Sequence, residues 1–598
     1  MIYNVTVYIL FTAMVFRFMC FICLIIIPYT SVYAEVLDQY DFGINHVNEH
    51  AQEAYDMYFG IERLNVIWKN LQKEPYDTLD QYTVNYIHNH IQNNMYYGIQ
   101  TFLLIEQPPE TMCIEICPNL KNIDYYEDFL TQILLEFGKD IVGIEIFNEP
   151  DREVHWPPKP NPQKYVEILK KTKIVRDVIS PDVLIIMGAH SGPPNQTLGY
   201  TFLYDLYDAG VKGYYDVFNY HHYTQNEAPD EGWGNPDYWY TIFDTFFSQH
   251  DPDMKIWVTE FGYATEGDNP QEIVTEEQQV AYTVKMIPLL LSLPRVEKIM
   301  LYELFDSPLN TSKYGIFKEN GGKKIGTDGV KTIIQSLLNT HFKEKQLHEN
   351  PFLVHYIFDS DRKKTHILWL KEKFVYPKPG KINDVQNVHL YVQPYFEKVE
   401  AFDVLGRENN LIFHGDMVDL SITHEPIIIV EHKEDFDNQA IQYLFDTHIA
   451  GGFEDGLFHP ERYITRAELL KIAFNAFHIA LEEGNDVSFP DISEDHWVIP
   501  YARSAKKLGI VKGDESGLFY LNRRVSLYEA LKILITASGL SQESGIDIPY
   551  QDVKEDNGFI PYIATAYKHG ILKNTPFLYG DKFLFRGEMA EMIYNLTQ

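Results

Sequence analysis

Cysteine is scarce in this chain, with four in 598 residues. Cys20 and Cys23 fall in an apolar leader, which leaves Cys113 and Cys117. One pair is too few for a disulfide-built scaffold. No Cys/His cluster has zinc-ligand spacing; separately, neither a metal nor an organic cofactor is expected to be needed. On a strand the pair would lie too far apart to bridge, whereas on a helical turn it reaches. The two are read as free or locally bridged thiols without catalytic duty. Basic residues are also few, 50 Lys+Arg against 85 Asp+Glu, for a net charge of −35. This speaks against nucleic acid as a partner and for a soluble, self-repelling surface. Beyond the N-terminus no further membrane segment is found.

The leader carries an unbroken apolar run, Phe18 to Ile27, too short to span a bilayer comfortably. Pro28 follows, then Ser31-Val32-Tyr33-Ala34, a small-residue cleavage pattern. Residues 1–34 are therefore expected to be an export signal, with no stable membrane span after cleavage. Nothing basic precedes Arg17, so translation is expected to start at Met14. An uncleaved anchor is the alternative. Hydrophobic content of 45% makes the rest globular, and the length calls for about three or four domains.

From about 40 to 339, strand-like apolar runs alternate with helix-period stretches. Eight strands are predicted, near 42–47, 62–68, 98–105, 141–149, 183–189, 215–223, 255–261 and 298–304. Eight units in under 300 residues favour a closed (β/α)8 TIM barrel (35–344) in an α/β fold. From 345 to 432 the runs are short, alternating or β-branched, with no helix between them, which predicts a small antiparallel β-sandwich. From 433 to 598 the chain repeats, at about 433–480, 488–541 and 549–598. Glu468, Glu529 and Glu588 occupy matching places, spaced 529 − 468 = 61 and 588 − 529 = 59, each ahead of an apolar helical pattern. Thr465 and Ser526 complete capping boxes in the first two repeats, but Phe585 stands there in the third.

Two segments carry chemistry. Ile146-Phe147-Asn148-Glu149-Pro150 and Trp257-Val258-Thr259-Glu260-Phe261-Gly262 each place a glutamate where a strand runs into a turn. The C-terminal ends of barrel strands hold the chemistry of this fold. The spacing, 260 − 149 = 111 residues, fits three βα units and puts the glutamates on strands 4 and 7. Two carboxyl groups are what glycosidic cleavage requires, one to protonate the leaving oxygen and one to attack or to activate water. Period two places Glu145, Phe147 and Glu149 on one side of the strand, with Asn148 opposite unless the strand ends or bulges. Burial near a second carboxylate is expected to raise the pKa of Glu149, as a general acid needs. The alternative for either residue is a surface glutamate before a turn.

Asn-Glu-Pro after strand 4 and Thr-Glu-Phe-Gly at strand 7 resemble the clan of retaining glycoside hydrolases with (β/α)8 barrels. Arg63 to Trp68 resembles that clan's strand 2, and Asp216 to Tyr223 resembles its strand 6 with a His-x-Tyr. Tyr314-Gly315-Ile316-Phe317 resembles its final loop, and the trailing sandwich leans toward glycoside hydrolase family 39. The resemblance covers about 40–432. It implies Glu149 as acid/base, Glu260 as nucleophile and Asn148 on the sugar's 2-hydroxyl. Arg63, His221 and Tyr223 would orient Glu260. The clan's strand 8 usually ends in tryptophan, where this chain has Tyr302-Glu303-Leu304-Phe305. Tyr302 or Phe305 is the expected substitute, which leaves the sugar open. Trp68, Trp156, Trp233 and Trp239 are candidate sugar platforms, Trp233 and Trp239 foremost; plain burial is the alternative.

The C-terminal repeats resemble S-layer homology modules. Phe453 to Pro460 leads into Ile464-Thr465-Arg466-Ala467-Glu468, and Asp495-His496-Trp497 fits the second module. The resemblance implies noncovalent anchoring to a secondary cell-wall polysaccharide, with Arg466, Glu468, Trp497 and Arg586 as contacts. An arginine fork suits a carboxylate on such a polymer. Leu527 replaces the arginine in the second repeat, so one of three grooves is expected to be weakened. The whole reads as a secreted, cell-surface glycosidase acting on a poly- or oligosaccharide. The alternatives are a barrel that binds glycan without cutting it and a structural surface-layer component.

Overall fold

A computed structural model describes residues 36–598 except 194–200, 231, 309, 361–362, 372–385, 392–397, 415–416, 433–437, 454–457, 461, 482–488, 494, 515, 544–546, 555, 574, 576–577 and 579. The expected export signal lies outside the described residues. Among the described residues no helix is long and apolar enough to cross a membrane.

Eight parallel strands close into a barrel: β1 (Phe42–Asn45), β2 (Ile61–Ile67), β3 (Gln100–Glu106), β4 (Gly143–Ile146), β5 (Leu184–Met187), β6 (Val217–His222), β7 (Lys255–Phe261) and β8 (Val296–Leu301). All eight fall where the apolar runs predict them. Strand β1 pairs with both β2 and β8, so no edge is left open. The barrel interior is filled by Ile61, Phe102, Ile186, Val217, Trp257 and Met300, a packed plug rather than a pore. The outward faces of the strands pack on the surrounding helices in a larger apolar layer that includes Ile44, Leu103, Ile105, Ile144, Ile146 and Val258. Those helices start where their sequences supply caps: Asp80 accepts from the Thr83 N–H, Asn161 from that of Lys164, and Thr275 forms a reciprocal box with Gln278.

Two antiparallel sheets follow. One has the order β13-β16-β11-β10-β9 and the other β12-β15-β14. The strands are β9 (His341–Lys345), β10 (Leu353–Asp359), β11 (Lys363–Leu370), β12 (Gln386–Tyr391), β13 (Lys398–Phe402), β14 (Ile412–His414), β15 (Met417–Ile422) and β16 (Ile427–His432). Strand β9 begins before residue 345, because its residues pair with Tyr356–Asp359 rather than with the barrel. Leu368, Leu370, Val418, Leu420 and Ile429 are among the core residues of this unit. Trp369 is fully buried and donates its indole N–H to Asp230, on the loop after β6, at 2.8 Å.

The C-terminal region is helical. Helices Arg466–Ala476, Leu527–Ser538 and Arg586–Thr597 occupy equivalent places. Thr465 and Ser526 form the expected capping boxes with Glu468 and Glu529. Phe585 has no side-chain acceptor, so only the return arm survives there, its N–H reaching Glu588 Oε2 at 3.1 Å. The extended residues ahead of the three helices bridge one another cyclically: Tyr463 with Phe585, Thr465 with Arg524, and Ser526 with Phe583. The three repeats thus close on themselves and share one apolar core.

This trio docks on the barrel floor. Arg524 donates to Gln39 Oε1 at 3.1 Å and lies over the rings of Tyr55, Tyr58 and Tyr463. Tyr55 donates to the Asn522 carbonyl and Asn522 to the Tyr96 hydroxyl, each at 3.2 Å. Gln39, Tyr58 and Tyr96 all sit just before strands β1 to β3. The repeats therefore cover the N-terminal ends of the strands and leave the C-terminal mouth facing the other way.

Candidate functional site at the barrel mouth

Glu149 and Glu260 meet at the C-terminal ends of β4 and β7, joined through one imidazole. His221 Nδ1 lies 2.8 Å from Glu149 Oε1, and its Nε2 lies 3.5 Å from Glu260 Oε1, an ion-pair distance. A register shift between Tyr220 and His221 brings His221 opposite Glu260, the kind of strand irregularity that re-aims a side chain. At Gly262, just past Glu260, an added Cβ would fall 2.1 Å from the Tyr302 carbonyl oxygen, so only glycine allows β7 to approach the end of β8 this closely.

Arg63 is the organising cation. It is 2% exposed. Its Nε and Nη2 donate to Glu145 Oε2 and Oε1 at 2.7 and 2.9 Å, its Nη1 to Glu260 Oε1 at 2.5 Å, and its Nη2 also to Asn148 Oδ1 at 2.9 Å. The Tyr223 hydroxyl donates to Glu260 Oε2 at 2.7 Å. Five of the expected site residues, Arg63, Asn148, His221, Tyr223 and Glu260, thus form one network with Glu149. Asn148 and Glu149 both reach it because β4 ends at Ile146 and the chain turns, with φ of 61° at Phe147 and 40° at Glu149. Strict alternation fails there, and Phe147 points instead into the outer apolar layer against Trp156.

Burial pushes the pKa of Glu260 up, but the charges of His221 and Arg63 and the Tyr223 hydrogen bond outweigh it and hold the carboxyl below its ordinary value. His221 moves the other way: burial lowers it, and Glu260 and Glu149 together raise it above 6.5. Tyr223 is pushed well above 10 by burial and by Glu260, so it remains a hydroxyl donor.

Glu149 departs from the sequence expectation. Burial raises its pKa, as expected of an acid, but hydrogen bonds from His155 and His221 and the charges of His221 and Arg152 reverse the shift and hold it far below 4.5. Arg152 Nη1 lies 2.9 Å and His155 Nε2 3.3 Å from Glu149 Oε2. The expectation of a raised pKa is therefore corrected; Glu149 rests ionised, with cations on both oxygens. Arg152 and His155 went unread in the sequence, although their places three and six residues after Glu149, in the turn following β4, mark them as neighbours. Glu106, at the end of β3, is a further carboxyl of the mouth whose pKa burial raises.

Tyr302 lies where a strand-8 aromatic was expected. It packs edge-on against Tyr223, Tyr314 and His46, with ring centroids 6.5, 5.4 and 5.3 Å away. Phe305 instead stacks on His50 and Phe317 and is buried. The other tryptophan readings fare differently. Trp68 is not a sugar platform: it is fully buried, stacks on Phe129 with centroids 4.5 Å apart, and donates to Gln72. Trp156 and Trp239 are likewise buried. Trp233 belongs to the turn Gly232–Gly234, and its side chain lies outside the described residues. Cys113 and Cys117 form a disulfide in the turn after Glu110–Met112. Among the described residues no group of His, Cys, Asp and Glu could hold a metal ion.

In the repeats, Arg466 lines a cavity of about 380 Å³ between the barrel floor and the first two modules, with Tyr40, Lys139, Asp514, Arg523 and Glu529. Arg523, unread in the sequence, joins Arg466 on Glu529, so a second arginine enters this groove although position 527 is leucine. Glu468 is engaged as the helix cap of Thr465. Arg586 is turned inward and buried, donating to the carbonyls of Phe458 and Gly451, which makes it a poor polymer contact. Trp497 is 47% exposed, with Lys471 over its ring.

Residues 70–323 match the family model described as glycosyl hydrolase catalytic core. Residues 429–470 and 488–526 match the family model described as S-layer homology domain. A family 39 glycoside hydrolase from Bacteroides cellulosilyticus WH2 superposes with a TM-score of 0.55 at 16% identity, covering 66% of this chain and 82% of that one; at that identity the likeness shows the fold. The Surface-layer 125 kDa protein of Lysinibacillus sphaericus is 29% identical over 141 residues, 23% of this chain and 12% of that protein. The Cellulosome-anchoring protein of Acetivibrio thermocellus is 27% identical over 118 residues, 19% of this chain and 26% of that one. The chain thus spans only a small part of the length of these two relatives.

Proposed function

We propose that the protein is a cell-surface glycoside hydrolase that cleaves O-glycosidic bonds with retention, Glu260 as nucleophile and Glu149 as acid/base. The observation that carries the reading is two glutamates on β4 and β7 sharing His221 at the barrel mouth. Glu260 is ionised, buried and aimed by Arg63 and Tyr223. Its carboxylate attacks the anomeric carbon while Glu149, after taking up a proton from solvent, gives it to the departing glycosidic oxygen, which keeps the electron pair of the broken bond. Glu149, now a carboxylate, then takes a proton from water, whose oxygen displaces Glu260. Tyr302 and Tyr314 would wall the sugar site beside Glu260.

Anchoring is assigned to the S-layer homology repeats, through a secondary cell-wall polysaccharide at the Arg466–Arg523 groove and Trp497. Docking of the repeats on the barrel floor would then point the catalytic mouth away from the wall. The ionised resting state of Glu149 favours a second reading, a barrel that binds glycan without cutting it. Reducing-sugar release by the intact chain from a panel of polysaccharides separates the two. The first reading expects turnover that disappears in Glu260→Ala and falls by about 10²–10⁴ in Glu149→Ala. Binding without turnover would establish the second.

A further inference from the structure

In the resting arrangement Oε2 of Glu149 is taken by Arg152 and His155 while His221 holds Oε1, so neither oxygen is free to carry the proton that an acid must give. One arginine and two histidines converge on this one carboxylate. The three differ in how firmly they are held. His221 is buried in the barrel wall at 1% exposure, whereas Arg152 is 53% exposed and His155 33%. Arg152 and His155 both come from the turn after β4, on the open side of Glu149. That turn is pinned from behind, since Trp156 is buried and donates to Asn119 Oδ1 at 3.2 Å, and Asn119 donates to the Pro157 carbonyl at 3.0 Å. The Arg152 side chain thus projects, half exposed, from an anchored turn.

Resting on the glycosidase reading, we infer that the leaving-group side of the site is built for an acidic sugar, whose carboxylate or other anionic substituent pairs with Arg152 and His155. Such a substrate takes over these two side chains and frees Glu149 Oε2. Burial and the neighbouring Glu260 on β7 then raise the pKa of Glu149 against His221, which still holds Oε1. A neutral leaving group leaves the ion pairs in place and Glu149 without a proton to give. Arg152 and His155 are thus specificity and positioning residues. The same anionic chemistry would suit the arginines of the groove under the barrel.

The test uses the intact chain with glucuronoxylan, hyaluronan and alginate, each beside its carboxyl-reduced counterpart, and the variants Arg152→Gln and His155→Gln. The expected result is at least one acidic polymer cleaved with kcat/KM about ten-fold or more above its reduced form, as a charge-assisted contact gives. Arg152→Gln should bring that ratio to within about three-fold and move the basic limb of the pH profile upward on the reduced polymer. A purely structural role would do neither. Because Arg152 is half exposed, its loss is not expected to unfold the barrel, and His155→Gln provides a second variant. Equal or faster cleavage of the reduced polymers by the native enzyme would overturn the inference and leave the glycosidase reading standing. No cleavage of any polymer would overturn both.

Discussion

Replacing Arg63 by methionine should damage the fold as well as the chemistry. The guanidinium makes two hydrogen bonds to Glu145, which is completely buried, and one each to Glu260 and Asn148. Methionine fills most of the volume but leaves Glu145 as an unpaired buried charge. Removing one partner of a buried ion pair costs about 3–5 kcal/mol. At roughly 2 °C per kcal/mol, the lower end for large domains, the Tm should fall by about 6–10 °C. The double variant Arg63→Met/Glu145→Gln removes the stranded charge and keeps an acceptor for the Ala189 N–H, which bonds Glu145 Oε1 at 3.3 Å. It should regain more than half of the loss while staying inactive, because Glu260 still lacks its cation. Thermal unfolding of the three proteins beside the native chain reads the cycle. A single variant as stable as the native chain, or a double variant whose losses simply add, would refute the reasoning.

Trp68→Ala should lower stability by about 3–5 kcal/mol, the range for deleting a buried aromatic, with little change in KM of the folded fraction; a KM effect without destabilisation would restore Trp68 as a sugar platform. The titration of the mouth gives a stability window. Glu149 and Glu260 have folded pKa values below their ordinary 4.5, so their stabilisation is present above about that pH and fades as pH falls through the folded values. His221 has a folded value above 6.5, so its share is complete below that pH and fades as pH rises through the folded value. Urea titrations from pH 3 to 9 should therefore lose stability on both sides in the native chain. In Glu260→Gln both slopes should be shallower, and unchanged slopes would contradict the pairing.

Much of the barrel was legible because its strands are apolar runs separated by helix-period stretches, a pattern that burial on both faces of a parallel sheet enforces. Strand ends were less legible. Alternation put Phe147 beside Glu149, yet β4 stops at Ile146 and two residues with positive φ turn Phe147 outward. Glutamates 149 and 260 could be paired from spacing alone, since three βα units fix their strands. The cations that set the charge state of Glu149 could not, because they act across a turn whose shape no periodicity encodes. The tryptophans show the same limit: a large aromatic near a strand end signals burial or sugar stacking equally, and Trp68 took the first course. In the repeats, motif position pointed to Arg586 and passed over Arg523, whereas packing buries the former and brings the latter to the groove.

The central claim is that Glu260 attacks the sugar. The most direct measurement incubates the intact chain with activated 2-deoxy-2-fluoro glycosides of whichever sugars the panel identifies, followed by peptide mass spectrometry. The fluorine disfavours the oxocarbenium-like transition state of both steps, while a good leaving group preserves the first, so the glycosyl-enzyme accumulates. The account predicts one fluorosugar on the peptide containing Glu260, and none in Glu260→Ala. Attachment to another residue, or steady turnover that releases the inverted anomer with no adduct, would contradict it.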